Sequence, residues 1–269
     1  MKLGFIGGGN MAAAIVGGLL RKGFQAGDIT VAEPVAERRA WLSREFGVGV
    51  EESAAVGLNA DVIVLAVKPQ QLKEVLTALP ALEARQLVLS VAAGVRAADI
   101  GRWLRGHAAV VRAMPNTPAL VGEGATGLFG LPGVNAGQRA WASQVMEAVG
   151  VVVWVEDEGL IDVVTAISGS GPAYVFYFIE ALEQAGIDLG LPPPVARQLT
   201  LQTFLGAATL AMQDPAAPAE LRARVTSKGG TTERGIQALM EGGVQAAILQ
   251  AARAAAHRAR EMGDLLGNA

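Results

Sequence analysis

Lys2-Leu3-Gly4-Phe5-Ile6-Gly7-Gly8-Gly9-Asn10-Met11-Ala12 decides how this chain folds. A short apolar strand runs into Gly7-x-Gly9-x-x-Ala12, and an amphipathic helix follows at once. These are the mechanics of a dinucleotide turn. Gly7 allows the tight strand-to-helix turn, and Gly9 lacks the Cβ that would hold the backbone away from a pyrophosphate. Ala12 is small enough for close helix–strand packing. The helix start offers free N–H groups and a positive dipole end to phosphates. Ile6, Gly7, Gly8, Gly9, Asn10 and Met11 are the residues expected to line such a ligand. Glycine-rich turns of this kind also occur with no ligand, so the reading leans on the strand before it and the helix after it.

Outward from the turn, strand and helix alternate. Asn10–Lys22 carries Met11, Ile15, Val16, Leu19 and Leu20 at helical spacing, and Gly23 ends it. Ile29–Ala32 reads as a strand closed by Glu33-Pro34, and Val35–Phe46 as a helix stopped by Gly47. Asp61–Val67 is almost continuously apolar, as expected of a parallel strand covered on both faces. Gln70–Leu79 and Ala97–Leu104 read as helices, and Leu87–Val91, Ala109–Arg112, the stretch around Ala125–Phe129 and Val151–Val155 as strands. The alternation predicts a doubly wound, Rossmann-like α/β domain over residues 1–157. Strand signals then stop. Gly159–Ile167, Ala173–Ala185, Val195–Met212, Ala219–Val225, Thr232–Met240 and Gly242–Met262 read as helices, which predicts an all-helical domain over 158–269.

Composition narrows the function. Of 269 residues 51% are hydrophobic and 17% charged, which points to a large buried area including a subunit interface. The net charge of −3, with mixed signs, is no footprint for nucleic acid. There are no cysteines, which removes disulfides, thiolate zinc sites and cysteine nucleophiles together. His107 and His257 stand too far apart to suggest a metal site or a triad. The start has no basic region of a signal peptide, and the apolar run Ala173–Ile179 is cut by Glu180, too short to span a bilayer. A cytoplasmic protein with no membrane partner is expected.

Candidate chemistry clusters at strand ends. Glu33 follows Gly9 by about two dozen residues, near the spacing at which a carboxylate meets the adenine ribose, while Arg38 and Arg39 are placed to recruit a 2′-phosphate instead. A solvated strand-end Glu is the plain alternative. Ala66-Val67-Lys68-Pro69-Gln70, Ser90-Val91-Ala92-Ala93-Gly94 and Arg112-Ala113-Met114-Pro115-Asn116-Thr117-Pro118 leave strands at the edge where ligands collect in open α/β sheets. In the helical half, Thr226-Ser227-Lys228-Gly229-Gly230-Thr231-Thr232-Glu233 reads either as a small-anion nest or as a Gly-Gly helix break with a Thr cap.

Gly7–Ala12 with Asn10-Met11, Ala66–Gln70, Ser90–Val95, Met114–Pro118, Ser168-Gly169-Ser170-Gly171-Pro172-Ala173-Tyr174 and Val225–Thr232 together resemble pyrroline-5-carboxylate reductase, from Met1 to about Gly263. The last two motifs are far more specific than the glycine turn. Two positions depart from the family. Relatives favouring NADP often carry small polar or basic residues where this chain has Glu33-Pro34, and Ser53 stands where Asn is frequent near the adenine.

The resemblance implies reduction of the C=N bond of Δ1-pyrroline-5-carboxylate by NADPH or NADH, giving L-proline in the last step of its biosynthesis. It places the substrate carboxylate on the N–H groups of Gly230 and Thr231 beside Gly229, with help from the Ser227 hydroxyl, and the ring nitrogen on the Thr232 hydroxyl. Glu158 matches an acidic position near the substrate, although an acid at a helix start has a plain structural use as well. Lys68 and Pro69 are expected by the nicotinamide ribose, and Ala66, Val67, Ala92, Ala93, Gly94, Asn116, Glu33 and Ser53 along the cofactor. The family assembles from interlocked dimers, often into larger homo-oligomers, with the substrate loop of one subunit completing its partner's cofactor site.

Two rivals bear weighing. A β-hydroxyacid dehydrogenase needs a Lys and an Asn on its first long helix, and the matching positions counted from Gly171 are Val175 and Ile179. A nucleotide-sensing scaffold has no use for a second anion site such as Gly229–Thr232.

Overall fold

The computed structural model describes residues 1–55 and 59–268. By contacts it divides into two units, Met1–Ser170 with Ala254–Ala269, and Gly171–Arg253.

The first unit is built on an eight-stranded sheet: β1 (Leu3–Ile6), β2 (Ile29–Ala32), β3 (Gly49–Glu51), β4 (Val62–Leu65), β5 (Leu87–Ser90), β6 (Val110–Met114), β7 (Gly124–Gly130) and β8 (Gly150–Trp154). Their order is β3-β2-β1-β4-β5-β6-β7-β8. The first six run parallel, and β7 turns antiparallel to β6 and takes β8 with it. Alternation of side chains splits the core into two layers. Phe5, Val31, Val62, Val64, Leu87, Leu89 and Val111 pack on one face with Ile15 and Leu19 of α1 (Asn10–Arg21), Leu42 of α2 (Ala36–Phe46) and Val145 of α5 (Ala136–Glu147). Ile63, Leu65 and Val88 face the other way, onto Leu72 and Leu76 of α3 (Pro69–Ala78) and Ile100 of α4 (Ala97–Trp103). Helices on both faces explain why β4 reads as an unbroken apolar run.

Two elements escape the periodicity reading. The edge strand β3 is three residues long with neither end buried, so it shows no alternation. Helix α5 has only a weak apolar stripe, yet its start carries a capping box: Asn135 Oδ1 accepts from the Gln138 N–H at 2.9 Å, and Gln138 Oε1 accepts from the Asn135 N–H at 3.0 Å.

Helix α6 (Gly159–Val164) and the π-helical turn Thr165–Gly169 remain with the first unit. Ile161 and Ala166 are buried there, and Val164 packs so closely on Gly127 that a Cβ at Gly127 would lie 2.7 Å from its Cγ1. The contact division therefore falls after Ser170, beyond the last strand. The second unit holds α7 (Gly171–Asp188), α8 (Pro193–Gln213), α9 (Pro218–Arg224), α10 (Thr231–Glu241) and the first part of α11 (Val244–Asn268). Glu180 does not interrupt α7, and the helical run 159–188 is by length and composition long and apolar enough to cross a membrane. Within that run Asp162 is buried in an ion pair of the first unit, described below.

One titration is built into the first unit. The ring Nε2 of His107 lies 2.9 Å from the Gln86 carbonyl, and burial lowers the imidazole pKa below its ordinary 6.5, with backbone hydrogen bonds at Gln86 and Ala109 offsetting part of the shift. The unfolded chain takes up this proton at higher pH than the folded one, so the contribution to stability is complete above about pH 6.5 and declines as pH falls through it. His107→Gln is expected to flatten that decline, read from thermal midpoints between about pH 5 and 7.

Candidate functional site

The carboxyl ends of the first five strands form one level edge, with Ala32 beside Glu51, Ile6 beside Ala32 and Leu65, and Leu65 beside Ser90, while β6 runs two residues past Arg112, the partner of Ser90. The cofactor residues expected from the sequence stand in the strand ends and loops along this edge. Strand order reverses between β1 and β4, the switch point at which open α/β sheets take their ligands.

The glycines differ in what they answer to. Gly7 has φ +97°, and a Cβ there would lie 2.8 Å from the carbonyl carbon and oxygen of Ala66. At Gly8 a Cβ would come within 2.6 Å of Leu42 Cδ1. At Gly9 it would meet no protein atom within 4 Å, so nothing in the protein calls for glycine there. Behind it α1 begins at Asn10 with no side-chain cap and no acid in its first turn, which leaves its N–H groups to an anion.

Glu33 is buried and folds back on the turn. One oxygen accepts from the Gly8 N–H at 2.9 Å, the other from the Val35 N–H at 3.0 Å. Arg38 Nε donates to the Gly8 carbonyl at 2.6 Å, with its guanidinium 4.1 Å over the Trp41 ring. Arg39 Nη1 donates to the carbonyls of Glu33 and Pro34, both at 2.7 Å. Glu33 and Arg38 thus shape the glycine turn itself, and Arg39 the Glu33-Pro34 corner beside it, which residue spacing did not disclose.

Further along the edge, exposed Lys68 precedes α3 and Pro69 opens it. Ala92 is buried, and Ala93 is half-exposed. Gly94, at φ +77°, lies under the end of α11, where a Cβ would sit 3.3 Å from Met262 Cβ and Leu266 Cδ1. Ser53 Oγ accepts from the Ala55 N–H at 3.3 Å.

Asn116 bridges two elements. Its Nδ2 donates to the Ser168 carbonyl at 3.0 Å, and its Oδ1 accepts from the Ala125 N–H at 2.9 Å. Pro172, four residues beyond Ser168, has no N–H to give that carbonyl, and its ring would crowd it. The helix widens into a π turn at Thr165–Gly169, and the Asn116 amide supplies the missing donor. Asn116→Ala would leave both backbone groups unpaired and is expected to destabilise the first unit by about 2–4 kcal/mol in denaturant titrations. Asn116→Asp should do no better, because it turns a second acceptor toward Ser168.

Glu158 is also engaged. Its Oε1 accepts from the Ala97 N–H at 2.7 Å, at the start of α4, and lies 3.3 Å from Arg112 Nη1. Arg112 Nη2 pairs with Asp162 at 3.3 Å, and Arg112 and Asp162 are both buried. The sequence places Arg112 at the end of a strand and the start of a loop motif and gives Asp162 no role; an arginine in a buried strand is the available signal, since a buried charge needs partners.

In the second unit, Gly230 precedes α10 and Gly229 stands at φ +73°. The Gly229 N–H donates to Glu233 at 2.7 Å, and the Gly230 N–H to the Ser227 carbonyl at 3.0 Å. A Cβ at Gly230 would fall 2.6 Å from Ser227 Oγ. Both glycine N–H groups therefore hold the turn closed, and Thr231 and Thr232 supply the first N–H groups of α10, which has no side-chain cap. Ser227, Thr231 and Thr232 are exposed.

Residues 158–262 match the family profile described as pyrroline-5-carboxylate reductase dimerisation, and residues 2–94 that described as NADP oxidoreductase coenzyme F420-dependent. A pyrroline-5-carboxylate reductase of Pseudomonas aeruginosa is 48% identical over 268 residues, 99% of this chain and 98% of that one. The solved structure of a pyrroline-5-carboxylate reductase from Coxiella burnetii superposes with a TM-score of 0.92 at 43% identity, covering 97% of this chain and 98% of that one. That of the Plasmodium falciparum pyrroline carboxylate reductase, with NADP bound, gives 0.86 at 28% identity over 98% of each chain. With such identity sustained from end to end and through both units, this chain belongs to the pyrroline-5-carboxylate reductase family.

Proposed function

We infer that this chain reduces Δ1-pyrroline-5-carboxylate to L-proline with NADPH or NADH, as the last step of proline biosynthesis in the cytoplasm. The observation that carries the reading is a pair of uncapped helix starts behind glycine turns, at α1 and at α10. The first suits a pyrophosphate: Gly9 is open to it, Gly7 has no room for a side chain, Gly8 packs on Leu42, and no acid competes in the first turn of α1. When bound, the reduced nicotinamide supplies the hydride that reduces the C=N carbon.

The chain's own residues position and polarise. Ile6 to Met11 hold the pyrophosphate, with Glu33 and Ser53 at the adenosine end. Ala66 to Pro69, Ala92 to Gly94 and Asn116 line the rest of the edge, Asn116 by fixing the loop after β6. The second helix start suits a carboxylate: Thr231 N–H and Ser227 Oγ hold it, Gly229 and Gly230 shape the turn, and Thr232 Oγ1 hydrogen-bonds the ring nitrogen. A cyclic imine is substantially protonated near neutral pH, so the demand is for placement and electrostatics and not for a strong acid. Glu158 acts at one remove, through Arg112 and the start of α4. Residues 158–269 serve as substrate-binding and dimerisation domain, and the dimers assemble further.

The test is absorbance of the reduced nicotinamide with pyrroline-5-carboxylate added, coupled to proline formation. Oxidation without proline, or none in protein that binds the nucleotide, removes the reading. Thr232→Ala is expected to lower kcat roughly a hundredfold while the Kd of the nucleotide holds. Wild-type turnover in that variant would take Thr232 out of the mechanism.

A further inference from the structure

A cavity of about 470 Å³ opens between the ends of β1, β2 and β4 and one side of α3. Ala32, Pro34, Val67 and Val75 give it apolar walls, and Ser53 a hydroxyl. In a doubly wound sheet this is the place of the adenosine, with its 2′-hydroxyl toward the residue that closes β2. Among the described lining residues the charged ones are Glu52 and Glu74, and none is a cation. Glu33 closes β2 between the lining residues Ala32 and Pro34 without itself lining the cavity, and its two oxygens are fixed by backbone N–H groups. Each of its oxygens keeps a second lone pair for a ribose hydroxyl.

Of the two nearby arginines, Arg39 already pairs with Glu52 and Arg38 is engaged at the glycine turn. Arg39 Nη1 is held by two carbonyls at 2.7 Å, and Nη2 lies 3.4 Å from Glu52. Arg38 is held on the Gly8 carbonyl and over Trp41. Its Nη2 is buried and has no partner among the described residues. A 2′-phosphate brings a charge of about −1.5 to −2 into this carboxylate-lined space.

We propose that this chain discriminates against the 2′-phosphate and prefers NADH to NADPH, with Glu33 as the specificity-determining residue and Glu52 and Glu74 reinforcing it. The proposal rests on the dinucleotide reading above and adds the choice between the two cofactors. It is tested by binding, without turnover. Full-length protein is titrated with NADH and with NADPH by nicotinamide fluorescence, and with 5′-AMP and 2′,5′-ADP by calorimetry. NADH is expected to bind about tenfold or more tightly than NADPH, and 5′-AMP to bind more tightly than 2′,5′-ADP. Glu33→Gln should narrow the ratio, but that side chain also holds the glycine turn. The double variant Glu52→Gln, Glu74→Gln alters exposed side chains, so it keeps the test open if Glu33→Gln fails to fold. It also releases Arg39 Nη2, and should narrow the ratio severalfold. NADPH binding as tightly as NADH, or a ratio unmoved in the double variant, overturns the proposal. Because turnover of pyrroline-5-carboxylate is measured separately, failure of the enzymatic reading would not be mistaken for failure of this one.

Discussion

Gly7→Ala is expected to destabilise the first unit by about 2–5 kcal/mol and to cut nucleotide affinity at least a hundredfold, whereas Gly9→Ala should cut affinity and leave stability within about 0.5 kcal/mol. The difference follows from what each missing Cβ would meet. Gly7 is in the left-handed region at φ +97°, which costs an L-residue about 1–2 kcal/mol by itself. Its Cβ would also press at 2.8 Å on the Ala66 carbonyl, a backbone group that cannot swing aside as a side-chain end does. Ala66 leads into the loop after β4, so relief of that clash displaces two cofactor-edge loops together. Gly9 has φ −66°, which any residue adopts, and open space where its Cβ would go. Only a group lying on the turn would feel a methyl there. Denaturant midpoints and nucleotide titrations on the two variants separate the effects. If Gly9→Ala bound the nucleotide as wild type does, the pyrophosphate would have to lie elsewhere.

The same contrast explains how far the sequence could be read. The turn, the strand ends and the order of elements were legible because they rest on local physics: glycines where φ or space demands them, and apolar periodicity facing a layer of helices. Residues 29–32 fall on the observed strand β2 with no shift. What stayed hidden depends on partners far along the chain. Spacing puts Glu33 near a ribose, but only the structure shows it gripping the Gly8 and Val35 N–H groups, 25 and two residues away. Asn116 looked like a ligand residue in a rigid loop. Its amide answers a carbonyl 52 residues on, and the reason lies in Pro172, which neither motif alone would reveal. The sequence does carry a usable hint for α5, since Asn135 and Gln138 are a capping box, and that signal survives where the apolar stripe is weak.

Diluting the protein is expected to unfold the second unit before the first, with an apparent stability that changes by about 1.4 kcal/mol for each tenfold change in concentration. Within residues 171–253 only Ala196 and Thr200 are buried, although the unit carries Phe176, Tyr177, Leu205, Leu210 and Met240 on its helices, each more than 60% exposed. Helices without a packed face are marginal in water, because most helical stability in proteins comes from burying an apolar stripe. Covering one such side chain contributes about 1.5–3 kcal/mol, so a second copy of the chain supplies what the unit lacks. The match of residues 158–262 to a dimerisation profile names that copy as the partner. The first unit has its own two core layers and does not share the deficit. Leu205→Asp therefore should abolish the dimer, lower helical content and remove turnover, while the nucleotide still binds. Sedimentation equilibrium, circular dichroism across concentrations and nucleotide titration read the three effects separately. A folded, active monomer, or a melting midpoint independent of concentration, would show that the helices of the second unit are stable without a second chain.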